Sequence, residues 1–255
     1  MMGRRIKVKS PAELVEMRAA CQVAATVLDE VVRECVPGVT TGDLDAFGLD
    51  RILGYGAKSA FKGYHGFPGH ICTSVNDEVV HGIPGDRLIQ AGDLVSIDVG
   101  VEYKGWIGDN ARTVLVAVED PEHIRLAKVT ELALDAGIKK AVAGGFVSDI
   151  SHAVEQVVLA AGLYVVKDFV GHGVGRKMHE EPQIPNFGAP GQGARLRTGM
   201  TLAIEPMVNQ GTEEVEVMSD QWTVLTADRK PSAHFEHTVL VGDGAAEILT
   251  CKKMS

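Results

Sequence analysis

Along the chain the apolar positions change spacing in a pattern that occurs twice, from a helical period to short strand-like runs. Ser10-Pro11-Ala12-Glu13 opens the first helical stretch: Ser10 can accept from the N3 amide, Pro11 suits the first helical position, and Glu13 can reach back to close a capping box. The spacing predicts a long helix from there to Val36, stopped by Pro37-Gly38. A second helix is expected from near Thr41, with Leu44, Phe47 and Ile52 on its apolar side, until Gly54 and Gly56 break the pattern. Short strands separated by turns follow from Cys72 to Val118.

The order then repeats. Asp120-Pro121, a cap followed by an N1 proline, predicts a helix to about Val142; after the Gly144-Gly145 break a second runs from about Ser148 to Ala161, and strands continue to Ile248. No Pro/Ser-rich linker or low-complexity segment lies between the halves. We therefore expect one domain over residues 1–255, built from similar halves at about 10–118 and 121–250. Its strands would form one antiparallel sheet covered by helices, an α+β arrangement rather than alternating βαβ.

Composition is consistent with that plan: 255 residues with 45% hydrophobic content can bury a sizeable core. A net charge of −9 argues against direct nucleic-acid recognition, which needs a basic face, and the cluster Arg4, Arg5, Lys7 and Lys9 is too short to reverse it. Cys21, Cys35, Cys72 and Cys251 form no C-x-x-C pair, as expected of reduced thiols in a cytosol, and structural zinc is not expected. The basic N-terminus passes into a polar helix without the apolar stretch of a signal peptide, and no apolar run approaches membrane-spanning length. A soluble cytoplasmic protein is expected.

Candidate chemistry begins in a hairpin. Leu94 to Tyr103 reads as one strand and Trp106 to Val118 as its return. A Tyr103-Lys104 loop makes Asp98 and Asp109 direct cross-strand partners, and a loop one residue later makes them diagonal neighbours; either way they share a face. Like charges so placed among Val95, Ile97 and Val99 repel, which calls for positive charge between them, although an edge hairpin with both aspartates in water gives the same pattern.

In the second half, Gly171-His-Gly-Val-Gly175 fits neither a phosphate loop nor a dinucleotide fingerprint and sets His172 on a sharply bending backbone. Glu205 lies in the apolar run Leu202-Ala-Ile-Glu-Pro206, where an ionised carboxylate is costly unless paired or bound to a cation. Glu236 sits in His234-Phe-Glu-His-Thr-Val-Leu-Val241 and shares a face with His234 and Thr238 by alternation. Two aspartates, two glutamates and a histidine form an oxygen-rich set typical of a dinuclear Mn, Fe, Co or Zn centre with at least one bridging carboxylate, of the kind that lowers the pKa of a water and polarises a carbonyl.

These residues resemble the methionine aminopeptidase family over essentially the whole chain. The resemblance rests on Gly63-Tyr-His-Gly66, Val80-His-Gly-Ile-Pro84, Ser96-Ile-Asp-Val-Gly100, Gly108-Asp109 with Arg112-Thr113, Gly171-His-Gly-Val-Gly175, His179-Glu-Glu-Pro182, Ile204-Glu-Pro-Met207 and Phe235-Glu-His-Thr238. It implies the pita-bread fold, the short bacterial type I form, and removal of the N-terminal methionine from newly made proteins whose second residue is small. It implies Asp98, Asp109, His172, Glu205 and Glu236 as ligands of two divalent ions, Mn, Fe(II), Co or Zn, with Asp109 and Glu236 bridging. Glu205 is implied to manage the proton of the attacking water, His179 to donate to the substrate carbonyl, and His81 to sit near the scissile nitrogen.

The implied methionine pocket is Tyr64, His65, Phe67, Cys72 and Trp222, with His81 and His179 also touching substrate. The chain departs from the family pattern at Phe61, where many bacterial members have cysteine, and at Met178, where an aromatic is common. Nascent chains at the ribosome are the implied partners of a monomer, with no membrane contact. His123, His152 and His237 read as surface or packing residues, and Glu180 and Glu181 as solvated or turn-capping acids. The alternatives are prolidase or aminopeptidase P, which usually carry a further N-terminal domain, and a catalytically inactive binding protein, against which five intact ligands weigh.

Overall fold

The structure, a computed structural model, describes residues 6–251. Helix α1 covers Pro11–Glu34, and its capping box forms as expected, with Ser10 Oγ accepting from the Glu13 amide and Glu13 accepting from the Ser10 N–H at 2.9 Å. It ends two residues before the expected Val36, because proline at position 37 disfavours helical backbone at the residue before it. Helix α2 covers Thr41–Gly54, with a second capping box between Thr40 and Asp43.

The first half continues through strands β1 Lys58–Ser59, β2 Cys72–Val75, β3 Glu78–Val80, β4 Leu94–Tyr103 and β5 Trp106–Leu115. Helix α3 follows at Pro121–Ile138, started by Asp120 accepting from the Glu122 amide. It stops short of the expected Val142 because the chain turns to pair with the far end of the fold: Val142 bridges Gly242, and the Ala143 amide donates to the Gly242 carbonyl. Helix α4 covers Val147–Ala160. The remaining strands are β6 Tyr164–Val165, β7 Gly171–Gly173, β8 Glu180–Ile184, β9 Thr201–Ile204, β10 Met207–Asn209, β11 Val215–Val217, β12 Val224–Thr226, β13 Ser232–His234, β14 Glu236–Leu240 and β15 Glu247–Ile248. Helix, helix, then strands thus occurs twice, as the pattern predicts. Among the described residues no helix is long and apolar enough to cross a membrane.

Among the described residues a nine-stranded antiparallel sheet joins the halves in the order β1-β4-β5-β14-β9-β7-β8, with β2 also on β4 and β15 also on β14, but the strands do not all enter it as expected: β13-β10-β6 and β11-β12-β3 form two separate three-stranded sheets. The β4–β5 hairpin is therefore interior, which excludes the reading of its aspartates as edge residues. Its loop is Lys104-Gly105, with φ of 52° and 74°, the positive pair a tight two-residue hairpin demands and glycine supplies readily. This is the later of the two expected turns. Asp109 stands opposite Gly100 and Asp98 opposite Ala111, so the aspartates are diagonal neighbours on one face.

Alternation along β4 separates packing from chemistry. Val95, Ile97, Val99 and Val101 turn to α1 and α2, where they pack among Leu28, Val31 and Leu44, and this leaves Ser96, Asp98 and Gly100 on the opposite face. In the second half Leu134, Ile138 and Ile150 of α3 and α4 pack on Leu202, Ile204 and Val239. Helix α1 packs closely on β5 at Gly108, where a Cβ would lie 2.6 Å from the Ala20 carbonyl oxygen. Backbone cannot yield there as a side chain can, so we expect Gly108→Ala to destabilise the fold by about 2–3 kcal/mol in chemical denaturation. A change under about 0.5 kcal/mol would contradict this packing.

The two described members of the N-terminal basic cluster, Lys7 and Lys9, both lie at Glu180, 3.8 and 3.1 Å away. Arg4 and Arg5 lie outside the described residues, Lys7 is exposed, and Lys9 is buried against Glu180. Glu180 is consequently an ion-paired interior carboxylate rather than a solvated one, whereas Glu181 is exposed.

Candidate metal centre

Strand register brings the acids together. Asp98 on β4 and Glu236 on β14 both stand opposite Ala111 of β5, one from each side, and Asp109 lies two residues along the same strand. Ala111 is small enough to leave the space between them open. His172 on β7 faces Ala203 of β9, which faces Thr238 of β14, so the histidine reaches the same area across a second row of small side chains. Glu205 follows the last ladder residue of β9, where Pro206 interrupts the strand, and its carbonyl accepts from Asn186 Nδ2 at 3.0 Å.

The resulting cluster is dense. Ligand atoms of Asp109, His172 and Glu236 lie within 4.8 Å of one another. His172 Nε2 is 3.4 Å from Glu205 Oε1 and 3.7 Å from Asp109 Oδ2, and His234 Nε2 is 3.9 Å from Glu205 Oε2. His172 donates through Nδ1 to the Gly173 carbonyl at 3.0 Å, which leaves the Nε2 lone pair pointing at the acids, the tautomer a metal ligand needs.

Electrostatics leave the cluster short of positive charge. Burial first, and then mutual repulsion, push Asp98, Glu205 and Glu236 well above the usual carboxylate range, and burial raises Asp109 as well. The histidines do not compensate: burial, and then the neighbouring His179, pull His172 down to about 3, while burial and His81 pull His234 to about 3, so both are neutral. Asp98 Oδ1, Asp109 Oδ1, Glu236 Oε1 and His234 Nε2 are buried with no hydrogen-bond partner. Orphaned carboxylate oxygens beside a neutral imidazole lone pair are the environment a divalent cation satisfies, so the residues fit such ions.

These groups form one end of a cavity of about 260 Å³. Every sequence-predicted site residue lines it: Asp98, Asp109, His172, Glu205 and Glu236 at the acidic end, His81 and His179 beside them, and Tyr64, His65, Phe67, Cys72 and Trp222 along the walls. Tyr64 Oη lies 2.6 Å from His179 Nδ1, and the His179 ring sits 4.2 Å from that of His172 with the two planes tilted by 57°. Phe67 and Trp222 meet edge to face at 5.1 Å, and Phe169 and Trp222 flank His81 at 5.5 and 6.1 Å. His81 holds a left-handed backbone, φ 60°, and the residue after it must be glycine, because a side chain at Gly82 would overlap the Thr73 carbonyl.

The departures at Phe61 and Met178 are accommodated together. Both side chains lean over Gly100, where any Cβ would overlap them, so a bare backbone beside Asp109 makes room for an aromatic from one side and a thioether from the other. Sequence reasoning did not identify Val80, Phe169, Val170, Met207 and His234 as lining residues. Alternation puts His234 on the face of Glu236, which was a usable signal; nothing local marks Phe169. Of the histidines set aside as packing residues, His237 bonds Thr250 Oγ1 at 2.9 Å and His152 approaches the Gly188 carbonyl at 3.2 Å, both away from the cavity.

Residues 15–243 match the model of metallopeptidase family M24. The chain is 46% identical to a methionine aminopeptidase of Clostridium acetobutylicum over 96% of its own length and 98% of the relative's, and 46% identical to methionine aminopeptidase 1 of Bacillus subtilis over 95% and 98%. The crystal structure of methionine aminopeptidase from Thermotoga maritima superposes with a TM-score of 0.95 at 45% identity, covering 96% and 99% of the two chains. Prolidase from Pyrococcus furiosus, at 22% identity and a TM-score of 0.79, shares the fold alone, the α+β pita-bread architecture expected from the sequence. On these matches the chain belongs to metallopeptidase family M24 and, within it, to the methionine aminopeptidases.

Proposed function

We infer that the protein hydrolyses the peptide bond after an N-terminal methionine in peptides and nascent proteins, with a preference for a small second residue. The observation that carries this reading is the junction of an acidic, cation-demanding cluster with a wall of Tyr64, Phe67, Cys72 and Trp222, polarisable and apolar as a thioether side chain requires. Asp98, Asp109, His172, Glu205 and Glu236 would hold two divalent ions, Mn, Fe(II), Co or Zn. Such ions supply a water of lowered pKa and polarise a carbonyl.

The chain's own residues do the rest. Glu205, whose pKa is raised by burial and by the neighbouring aspartates, takes the proton of the attacking water and passes it to the departing amine. His179 is hydrogen-bonded through Nδ1 to the Tyr64 hydroxyl, and in the tautomer in which that hydroxyl donates, its Nε2–H is available to the carbonyl oxygen as negative charge grows there. His81, kept neutral by burial at a pKa of about 4, faces the scissile nitrogen as an uncharged partner. The halves at about 10–118 and 121–250 act as one catalytic domain, since both supply walls of the same cavity. This reading places the activity in a cytoplasmic monomer that meets nascent chains at the ribosome.

The test against a prolidase-like reading is hydrolysis of Met-Ala-Ser beside Xaa-Pro dipeptides: the former alone should be cleaved, and cleavage of the latter alone would reverse the reading. We further expect His179→Ala to lower kcat roughly a hundredfold or more, the usual loss of one donor to a developing oxyanion, with metal content unchanged by elemental analysis. Loss of metal together with activity would move His179 into the ligand set.

A further inference from the structure

The segment from Val174 to His179 links β7, which carries His172, to β8, and it presents Met178 and His179 to the cavity. It is pinned by a residue from the other end of the chain. Lys9 lies in extended backbone ahead of α1, with its amide donating to the Gly199 carbonyl at 2.8 Å and its side chain only 4% exposed. Its ammonium donates to the Val174 carbonyl at 2.7 Å and to Glu180 at 3.1 Å. The Glu180 side chain, 6% exposed, also accepts from the Arg176 amide at 3.1 Å. Gly175 closes over the pair: a Cβ there would stand 2.9 Å from Lys9 Cε and 3.0 Å from both Glu180 oxygens.

One buried ammonium thus ties the first residue of the loop to the residue immediately after His179. Desolvating such a pair is expensive, and an apolar pair of similar volume is often as stable or more so, so added stability is a weak reason for it. What an ammonium supplies that an apolar group does not is direction, because its hydrogens fix a carbonyl and a carboxylate at set distances and angles.

We propose that Lys9 and Glu180 are positioning residues for His179, holding the loop so that its imidazole meets both the Tyr64 hydroxyl and the substrate carbonyl. This rests on the reading of His179 as the donor to that carbonyl. The test is a double-mutant cycle in the full-length, metal-loaded protein, combining Lys9→Met with His179→Ala and reading kcat and KM on Met-Ala-Ser. Lys9→Met alone should lower kcat ten- to a hundredfold, roughly what a displacement of about 1 Å costs. KM should change less than about twofold. In the His179→Ala background the same substitution should cost nothing further. Glu180→Gln serves as the second variant if Lys9→Met does not fold.

A readout independent of turnover is the imidazole ¹⁵N resonance of His179 in metal-free, histidine-labelled protein, which reports the bond to Tyr64 and should shift in Lys9→Met. Equal loss of kcat in both backgrounds, or an unmoved resonance with only a lower melting temperature, overturns the proposal. A wild-type protein that cleaves no methionyl peptide contradicts the proposed function instead, and the resonance then decides the positioning role by itself.

Discussion

Glu205→Gln is expected to reduce turnover of a methionyl peptide by at least about a thousandfold, because proton transfer by a positioned side chain contributes typically 10²–10⁴ and this residue is also a proposed ligand. The amide matches the carboxylate in size and accepts through one oxygen, but it takes up no proton. The surroundings support the choice of this acid. Glu205 is 3.4 Å from His172 and partly open to the cavity, whereas Asp109 and Glu236 are almost fully covered. In the metal-free protein burial, and then Asp109 and Asp98, raise its pKa above the usual carboxylate range. Steady-state kinetics with metal-saturated protein would decide it; near-normal kcat in the variant would remove Glu205 from the proton path.

The second large effect has two signs. Glu236→Gln should lose turnover and bind metal more weakly than the wild type, since one of the proposed ligand carboxylates becomes a neutral amide with a single good acceptor. Without metal, the same variant should be more stable than the wild type. In the metal-free chain burial raises Glu236 above its ordinary value of 4.5, so between that value and the raised one the folded state holds a proton that the unfolded state has released. Stability there falls as pH rises through that window, because ionising the buried carboxyl without a cation is unfavourable. Glutamine removes that cost. We expect the melting temperature of metal-free Glu236→Gln to rise by a few degrees, about 2–4 °C for each kcal/mol, and its stabilisation by added metal to shrink. A metal-free variant less stable than the wild type would mean that Glu236 is satisfied by the protein alone.

That stability is given up for chemistry here explains which features were readable in the sequence. Helix starts were legible because capping is local: Ser10 with Glu13 and Asp120 with Pro121 specify their own ends. The acids were legible because carboxylates in apolar strands break the rule for a stable core, as Glu205 does between Ile204 and Pro206. The hairpin register was readable only as two options, because the choice turned on whether Lys104 adopts positive φ beside Gly105. The end of α3 was misplaced because pairing of Val142 with Gly242, a hundred residues on, overrides local helix propensity. Lys9 and Glu180 each looked like a surface charge, and their burial follows from how the N-terminal segment docks, which no local pattern encodes. Phe169 likewise reaches the cavity only because β3 and β12 bring His81 and Trp222 to it.

The most direct test of the account is release of free methionine from Met-Ala-Ser, with Leu-Ala-Ser as the control, by chelator-treated protein before and after anaerobic addition of Mn, Fe(II), Co or Zn. The account predicts no release without metal, and cleavage of the methionyl peptide alone once a metal is restored. Absence of cleavage with every metal, from a folded protein, would contradict it and leave a binding protein built on a peptidase fold.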